Sequence, residues 1–384
     1  MINITDKSQC CGCNACVQRC PKQCVTMQED EEGFLYPKVD HAACIDCGLC
    51  EKVCPVINKN ESRRPMQVFA VKNNNEDQRL RSSSGGIFIL LAEQTIKRGG
   101  VVFGARFDKD WEVEHCYVET LKELELLMRS KYVQSRIGDS FKQAEHFLKQ
   151  GRQVMFVGTP CHISALKKFL KKDYKTLLAV DIVCHGVPSP GVWRRYLRET
   201  VQGDIGSVNF RAKQLSGYTW AGYGIEIRDL YQKKVLFSQQ ASQNPYMKAF
   251  VKGAIMRPSC FSCPSKDWKN QSDLTIGDFW GISNHSPEIN DNIGLALAII
   301  NTPKGSEVIA QCPELTTWSK DVDIAVSGNP SVLKSRKKPL FRDKFWILYM
   351  KNKPISYISK KLFNEFACIM IIARIKAKIC CLMK

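Results

Sequence analysis

The chain lacks an apolar leader. Met1 to Cys10 is polar, so a signal peptide is not expected. It also lacks a long apolar run: Phe366 to Ala373 is the longest candidate, far short of the about eighteen residues that a membrane-spanning helix needs. No recognised nucleic-acid motif accompanies its net charge of +18, which removes the usual partner of a basic protein. The expected location is therefore the cytoplasm. Disorder is not the theme either, because 44% hydrophobic and 24% charged residues is ordinary globular composition. At 384 residues the chain fits a small module joined to a larger domain.

The charge is uneven. Residues 331–384 hold 14 Lys/Arg against 2 Asp/Glu, a balance of +12, so everything before them is only about +6. This end reads as a basic helical tail. Phe366 to Leu382 mixes apolar residues with Arg374, Lys376 and Lys378, a pattern suited to peripheral contact with an anionic membrane. The plainer reading is a solvated tail without a target.

Cysteine is abundant: 19 in all, ten of them within the first 54 residues. With no export signal, metal ligation explains that density better than disulfides. Cys10, Cys13, Cys16 and Cys20 follow C-x2-C-x2-C-x3-C and precede Pro21. Cys44, Cys47, Cys50 and Cys54 repeat the run and precede Pro55. This is the spacing of a bacterial two-cluster ferredoxin, in which the fourth cysteine of each run ligates the other cluster. One 4Fe–4S cluster is expected on Cys10, Cys13, Cys16 and Cys54, the other on Cys44, Cys47, Cys50 and Cys20. Gly12 and Gly48 sit inside the loops, where backbone NH groups turn toward sulfur. Zinc would favour paired C-x2-C knuckles separated by a long gap. Cys11 and Cys24 fall outside the pattern and read as packing residues.

A two-cluster module over residues 1–57 is followed by a polar linker, Asn58 to Pro65. Strands and helices then alternate, which argues for an α/β domain over 66–320. Strands are expected at Gln67–Val71, Gly100–Phe107, Gln153–Val157, Leu177–Val183, Asp273–Ile276 and Leu295–Asn301. Helices are expected at Ser84–Lys97, Cys161–Leu170 and Pro190–Thr200. No internal repeat appears beyond the cysteine runs.

Three downstream segments stand out. Ser82-Ser83-Ser84-Gly85-Gly86 opens an apolar helix, as a serine–glycine cap does, or a site for phosphate or an electron-rich ring. Cys161 and Cys184 each follow a buried strand, where α/β sheets place their ligands, although either alone reads as a small buried residue. Cys260 and Cys263 form a C-x2-C pair, open between zinc, redox chemistry and half of a cluster. With Cys161 and Cys184, four thiolates become available.

Together with Ser130-Lys131-Tyr132-Val133-Gln134-Ser135, Gly158 to Cys161 and Asp273 to Gly281, these segments resemble the family of coenzyme F420 hydrogenase/dehydrogenase beta subunits. The resemblance runs from about Val68 to Asn301, and the tail lies outside it. It implies FAD and a third 4Fe–4S cluster, the latter on Cys161, Cys184, Cys260 and Cys263. By analogy the flavin pocket draws on Ser84, Gly85, Gly86, Lys131, Tyr132, Gln134 and Ser135. The expected activity is that of an iron–sulfur flavoenzyme. It would take electrons singly from a donor such as a ferredoxin or a partner redox subunit, and exchange hydride with a small-molecule acceptor. A non-catalytic electron adaptor and a reductase of a sugar or envelope precursor are the alternatives. No residue names a substrate, a catalytic group or the direction of flow.

Overall fold

The computed structural model describes residues 1–363. Two short helices, Ala15–Arg19 and Leu49–Lys52, each begin inside a cysteine run. Between the runs lies a hairpin of β1 (Val25–Glu29) and β2 (Leu35–Val39), in register Val25 to Val39. The runs wind alike: Gly12 and Asp46 at the second position after the first cysteine, and Asn14 and Gly48 at the fourth, are all left-handed (φ +70°, +49°, +60° and +69°). Such a turn costs glycine least. The segment expected as a linker is pinned down: Asn60, Ser62 and Arg63 bond to backbone groups of residues 267–272.

The larger part is built on β3 (Gln67–Asn73), β4 (Val101–Phe107), β5 (Val113–Val118), β6 (Val154–Gly158), β7 (Leu177–Ile182), β8 (Ile205–Ala212), β9 (Gly224–Asp229), β10 (Val235–Gln240), β11 (Leu274–Asp278), β12 (Ala296–Ile300) and β13 (Leu315–Ser319). Eight of them form one sheet in the order β13-β3-β12-β11-β7-β6-β4-β5. Its centre, β4, β6, β7 and β11, is parallel, and its flanks, β5 on one side and β12, β3 and β13 on the other, pair antiparallel. The sheet is thus mixed. Strands β6 and β12 are buried at every residue, as strands covered on both faces are. Strands β8, β9 and β10 form a separate antiparallel sheet packed with Trp193, Tyr196 and Tyr246.

The basic end is not free over its described part. Phe345, Trp346, Tyr349, Ile355, Ile358 and Leu362 are buried in the core around the smaller sheet. Arg342 is buried too, forked onto Glu32 of the cysteine module and donating to the Met256 carbonyl. A buried guanidinium committed to a carboxylate is no longer available to a membrane. The amphipathic stretch Phe366 to Leu382 lies outside the described residues. Among the described residues no helix is long and apolar enough to cross a membrane.

Candidate functional site

Cys20 shares one cavity with Cys44, Cys47 and Cys50, as crossed ligation requires. Cys24 lines it as well, with its sulfur 3.3 Å from that of Cys20. The other run gathers with Cys54. Burial raises the Cys16 thiol to about 12, and the neighbouring Cys10 and Cys54 add to the shift. Such a thiol does not ionise by itself at neutral pH. A metal centre that deprotonates its ligands is the group it suits.

A second cavity brings together the four downstream cysteines from three separate segments. Cys161 sits in the first turn of the helix Pro160–Leu170, directly after β6. Cys184 lies just past the end of β7, the parallel neighbour of β6. Cys260 and Cys263 come from the turn at Pro258–Ser262 and its C-cap. Burial raises Cys184 to about 12 and lifts Cys260 and Cys263 as well, while crowding by Cys11 lifts Cys161. The ammonium of Lys266, which donates to the Cys184 carbonyl at 2.5 Å, opposes the shift at Cys184. Among the described residues no three His, Cys, Asp or Glu converge on a single-ion site. Both thiol sets instead surround cavities.

The two regions adjoin. Cys11, expected as packing, lines the second cavity, with its thiol against Cys13 on one side and Cys161 on the other. Gln134 donates to the Cys11 carbonyl at 3.0 Å and accepts from Arg257 at 3.0 Å.

The residues expected around a flavin do not form one group. Ser84 donates to the Leu295 carbonyl at 2.9 Å, and Ser83 Oγ accepts the Ser130 NH at 2.8 Å. Gly85 packs so closely that a Cβ would lie 2.4 Å from the Val71 carbonyl, and Gly86 opens the helix Ile87–Lys97 at φ +80°. Tyr132 joins this side through Arg211, whose Nη1 donates to its hydroxyl at 3.4 Å. Lys131 instead caps the short helix Leu124–Leu127, donating to the carbonyls of Leu126, Met128 and Arg129. Burial lowers it to about 7. Gln134 and Ser135 lie toward the thiols, with Ser135 bonded to His115 Nδ1 at 2.6 Å.

Three cations unremarked in the sequence gather at the serine–glycine bend. Arg211 is forked onto Asp278 (2.8 and 2.9 Å) and donates to the Ser83 carbonyl at 3.1 Å. Lys213 donates to the Arg79 carbonyl at 2.9 Å, and burial, then Arg211, lower it to about 7. Buried NH groups of Arg79 (Nε and Nη1) and Arg211 (Nε) have no partner among the described residues. Free buried donors beside a helix N-terminus fit an anionic group such as a dinucleotide phosphate. The only sequence signal was the alternation of Arg211 and Lys213 at the end of β8.

Removing the Asp278 carboxylate strands Arg211, whose side chain is 1% exposed. Trp220 Nε1, which donates to Asp278 at 2.7 Å, loses its acceptor too. Asp278→Ala is expected to cost about 3–5 kcal/mol of stability, the usual penalty for an uncompensated buried charge. Urea unfolding measures it, and a loss below about 1 kcal/mol would show that Arg211 finds water or another acceptor.

The two thiol sets on the N-terminal cysteine runs define an iron–sulfur electron-transfer protein. Residues 9–58 match the 4Fe-4S dicluster domain, and residues 151–318 match the C terminus of the coenzyme F420 hydrogenase/dehydrogenase beta subunit. Residues 151–318 are therefore similar to the C-terminal domain of that family of beta subunits, and a dicluster domain precedes them. It is 22% identical over 250 residues to the F subunit, as it is named, of the F(420)H(2) dehydrogenase of Methanosarcina mazei, covering 60% of this chain and 70% of that one. The N-terminal region is 45% identical over 42 residues to "Ferredoxin 7Fe" of Hydrogenibacillus schlegelii, covering 11% of this chain and 47% of that one. A chain in the F420-reducing [NiFe] hydrogenase complex from Methanosarcina barkeri aligns with 79% of this chain and 93% of its own, at 15% identity and a TM-score of 0.47.

Proposed function

We propose that this chain is an iron–sulfur flavoprotein oxidoreductase, with a third 4Fe–4S cluster on Cys161, Cys184, Cys260 and Cys263 and FAD beside Ser84, Gly85, Gly86 and Tyr132. The observation that carries this reading is the meeting of four thiols from three segments around one cavity, next to the first N-terminal set. When bound, such clusters pass electrons singly and a flavin exchanges one or two, so together they join a one-electron donor to a two-electron acceptor. The chain's own residues supply ligands, burial and charge. Lys266 holds the Cys184 segment and offsets negative charge there, while Arg79, Arg211 and Lys213 hold an anion at the bend. Gln134 and Ser135 order the junction rather than touch the ring. The donor is a ferredoxin or a partner redox subunit, a choice supported by a relative that is itself named as a subunit. The acceptor is a small molecule that takes hydride.

A flavin-free electron adaptor is the second reading, favoured by the internal bonding of Ser83, Ser84 and Lys131. Turnover separates the two. Protein purified without oxygen should reduce a soluble two-electron acceptor when supplied with dithionite, and should show a flavin band under the iron–sulfur absorption. Absence of both after reconstitution with FAD leaves the adaptor.

A further inference from the structure

Arg257 is fully buried, yet its side chain has no carboxylate partner among the described residues. Its Nε donates to the Cys10 carbonyl at 2.7 Å, Nη1 to Gln134 Oε1 at 3.0 Å, and Nη2 to the Leu35 carbonyl at 2.9 Å. Nη2 also reaches the Cys10 sulfur at 3.6 Å. The guanidinium lies 4.2 Å from the centre of the Tyr36 ring. Gly12 makes room for it: a Cβ there would lie 2.8 Å from Arg257 Nη1 and from Gln134 Nε2. All these acceptors except the sulfur are neutral. A whole positive charge is thus held out of water against one loop of the cysteine module, an arrangement that costs several kcal/mol unless an anion answers it.

We propose that Arg257 raises the reduction potential of the N-terminal cluster expected on Cys10, Cys13, Cys16 and Cys54, and rest this on that ligand set. A cubane on four thiolates is anionic, and accepting one electron makes it more so. Potentials of such clusters follow net charge, hydrogen bonds to sulfur and exposure. Arg257 supplies the first two at Cys10 and, by filling the space, the third. No bond forms or breaks in the step: the cluster gains one electron, and the fixed guanidinium favours the reduced form. The other cluster's cavity has no arginine in its lining, so its potential should depend much less on Arg257. Because Arg257 leads into the Pro258–Ser262 turn that carries Cys260, the charge sits on the path between the first set and the downstream thiols. A raised potential there makes the first cluster the electron-rich step before the larger domain.

The test is a dithionite potentiometric titration of the full-length protein followed by electron paramagnetic resonance. Arg257→Met should move one couple downward, by about tenfold in the reduced-to-oxidised ratio at a fixed potential, or about 59 mV for one electron. The second N-terminal couple should move by clearly less. Arg257→Lys, which keeps charge but loses the fork, should recover most of the shift. Gln134→Glu leaves Arg257 in place and answers its charge with a carboxylate, so the same couple should fall. Should Arg257→Met not hold its clusters, Gln134→Glu decides alone. Unmoved couples in a cluster-replete Gln134→Glu protein, or equal shifts of both N-terminal couples, overturn the proposal. The moving couple should vanish in Cys10→Ser; a moving couple that survives overturns the ligand set instead.

Discussion

Cys20→Ser/Cys24→Ser is expected to empty the cluster whose other ligands, Cys44, Cys47 and Cys50, lie more than twenty residues downstream. Cys20 lines their cavity, because the short helix Ala15–Arg19 carries the chain across the module. Cys24 must be removed as well. Its thiol is 3.3 Å from that of Cys20 in the same cavity, close enough to take over ligation. Serine keeps the volume and gives up the soft donor that iron–sulfur clusters require. Iron content should fall by about four atoms, one cubane. The cluster of Cys10, Cys13, Cys16 and Cys54 should keep its spectrum. Loss confined to that cluster would contradict crossed ligation.

The Cys260→Ser/Cys263→Ser protein is expected to lose about four irons while keeping the two N-terminal clusters. Both cysteines belong to one short turn, held by the Arg257 side chain at one end and by the Ser335 hydroxyl, which accepts the Cys263 NH at 3.0 Å, at the other. The turn should therefore survive the substitutions, and circular dichroism should be unchanged. Reduction of bound flavin by an external one-electron donor should slow by at least about tenfold, since the remaining route skips the cavity between the module and the bend. An iron count untouched by the pair would leave Cys260 and Cys263 as zinc ligands or packing.

Residue spacing carried the cysteine module, because cluster ligation fixes both ligand type and interval in a contiguous run. Six strands of the large sheet emerged from sequence, most plainly β6 and β12, which are buried on both faces and read as apolar runs. Strands β8, β9 and β10 did not, because they are amphipathic and partly exposed, and only pairing defines them. Antiparallel flanks likewise leave no mark on single strands. Cys161, Cys184, Cys260 and Cys263 were named as a set, but their neighbour Cys11 was not, since its role comes from a contact across about 150 residues. Arg257 escaped notice for the same reason: its partners lie in residues 10, 35 and 134. At the basic end the charge count treats every arginine alike, whereas Arg342 spends its charge on Glu32 inside the protein.

That three iron–sulfur centres and a flavin share this chain is tested most directly by iron and flavin analysis of one sample, purified without oxygen and reconstituted. About twelve irons, four for each of three cubanes, and one FAD per chain are expected. About eight irons with no retained flavin would contradict it, leaving a two-cluster ferredoxin module on a domain that carries no redox centre of its own.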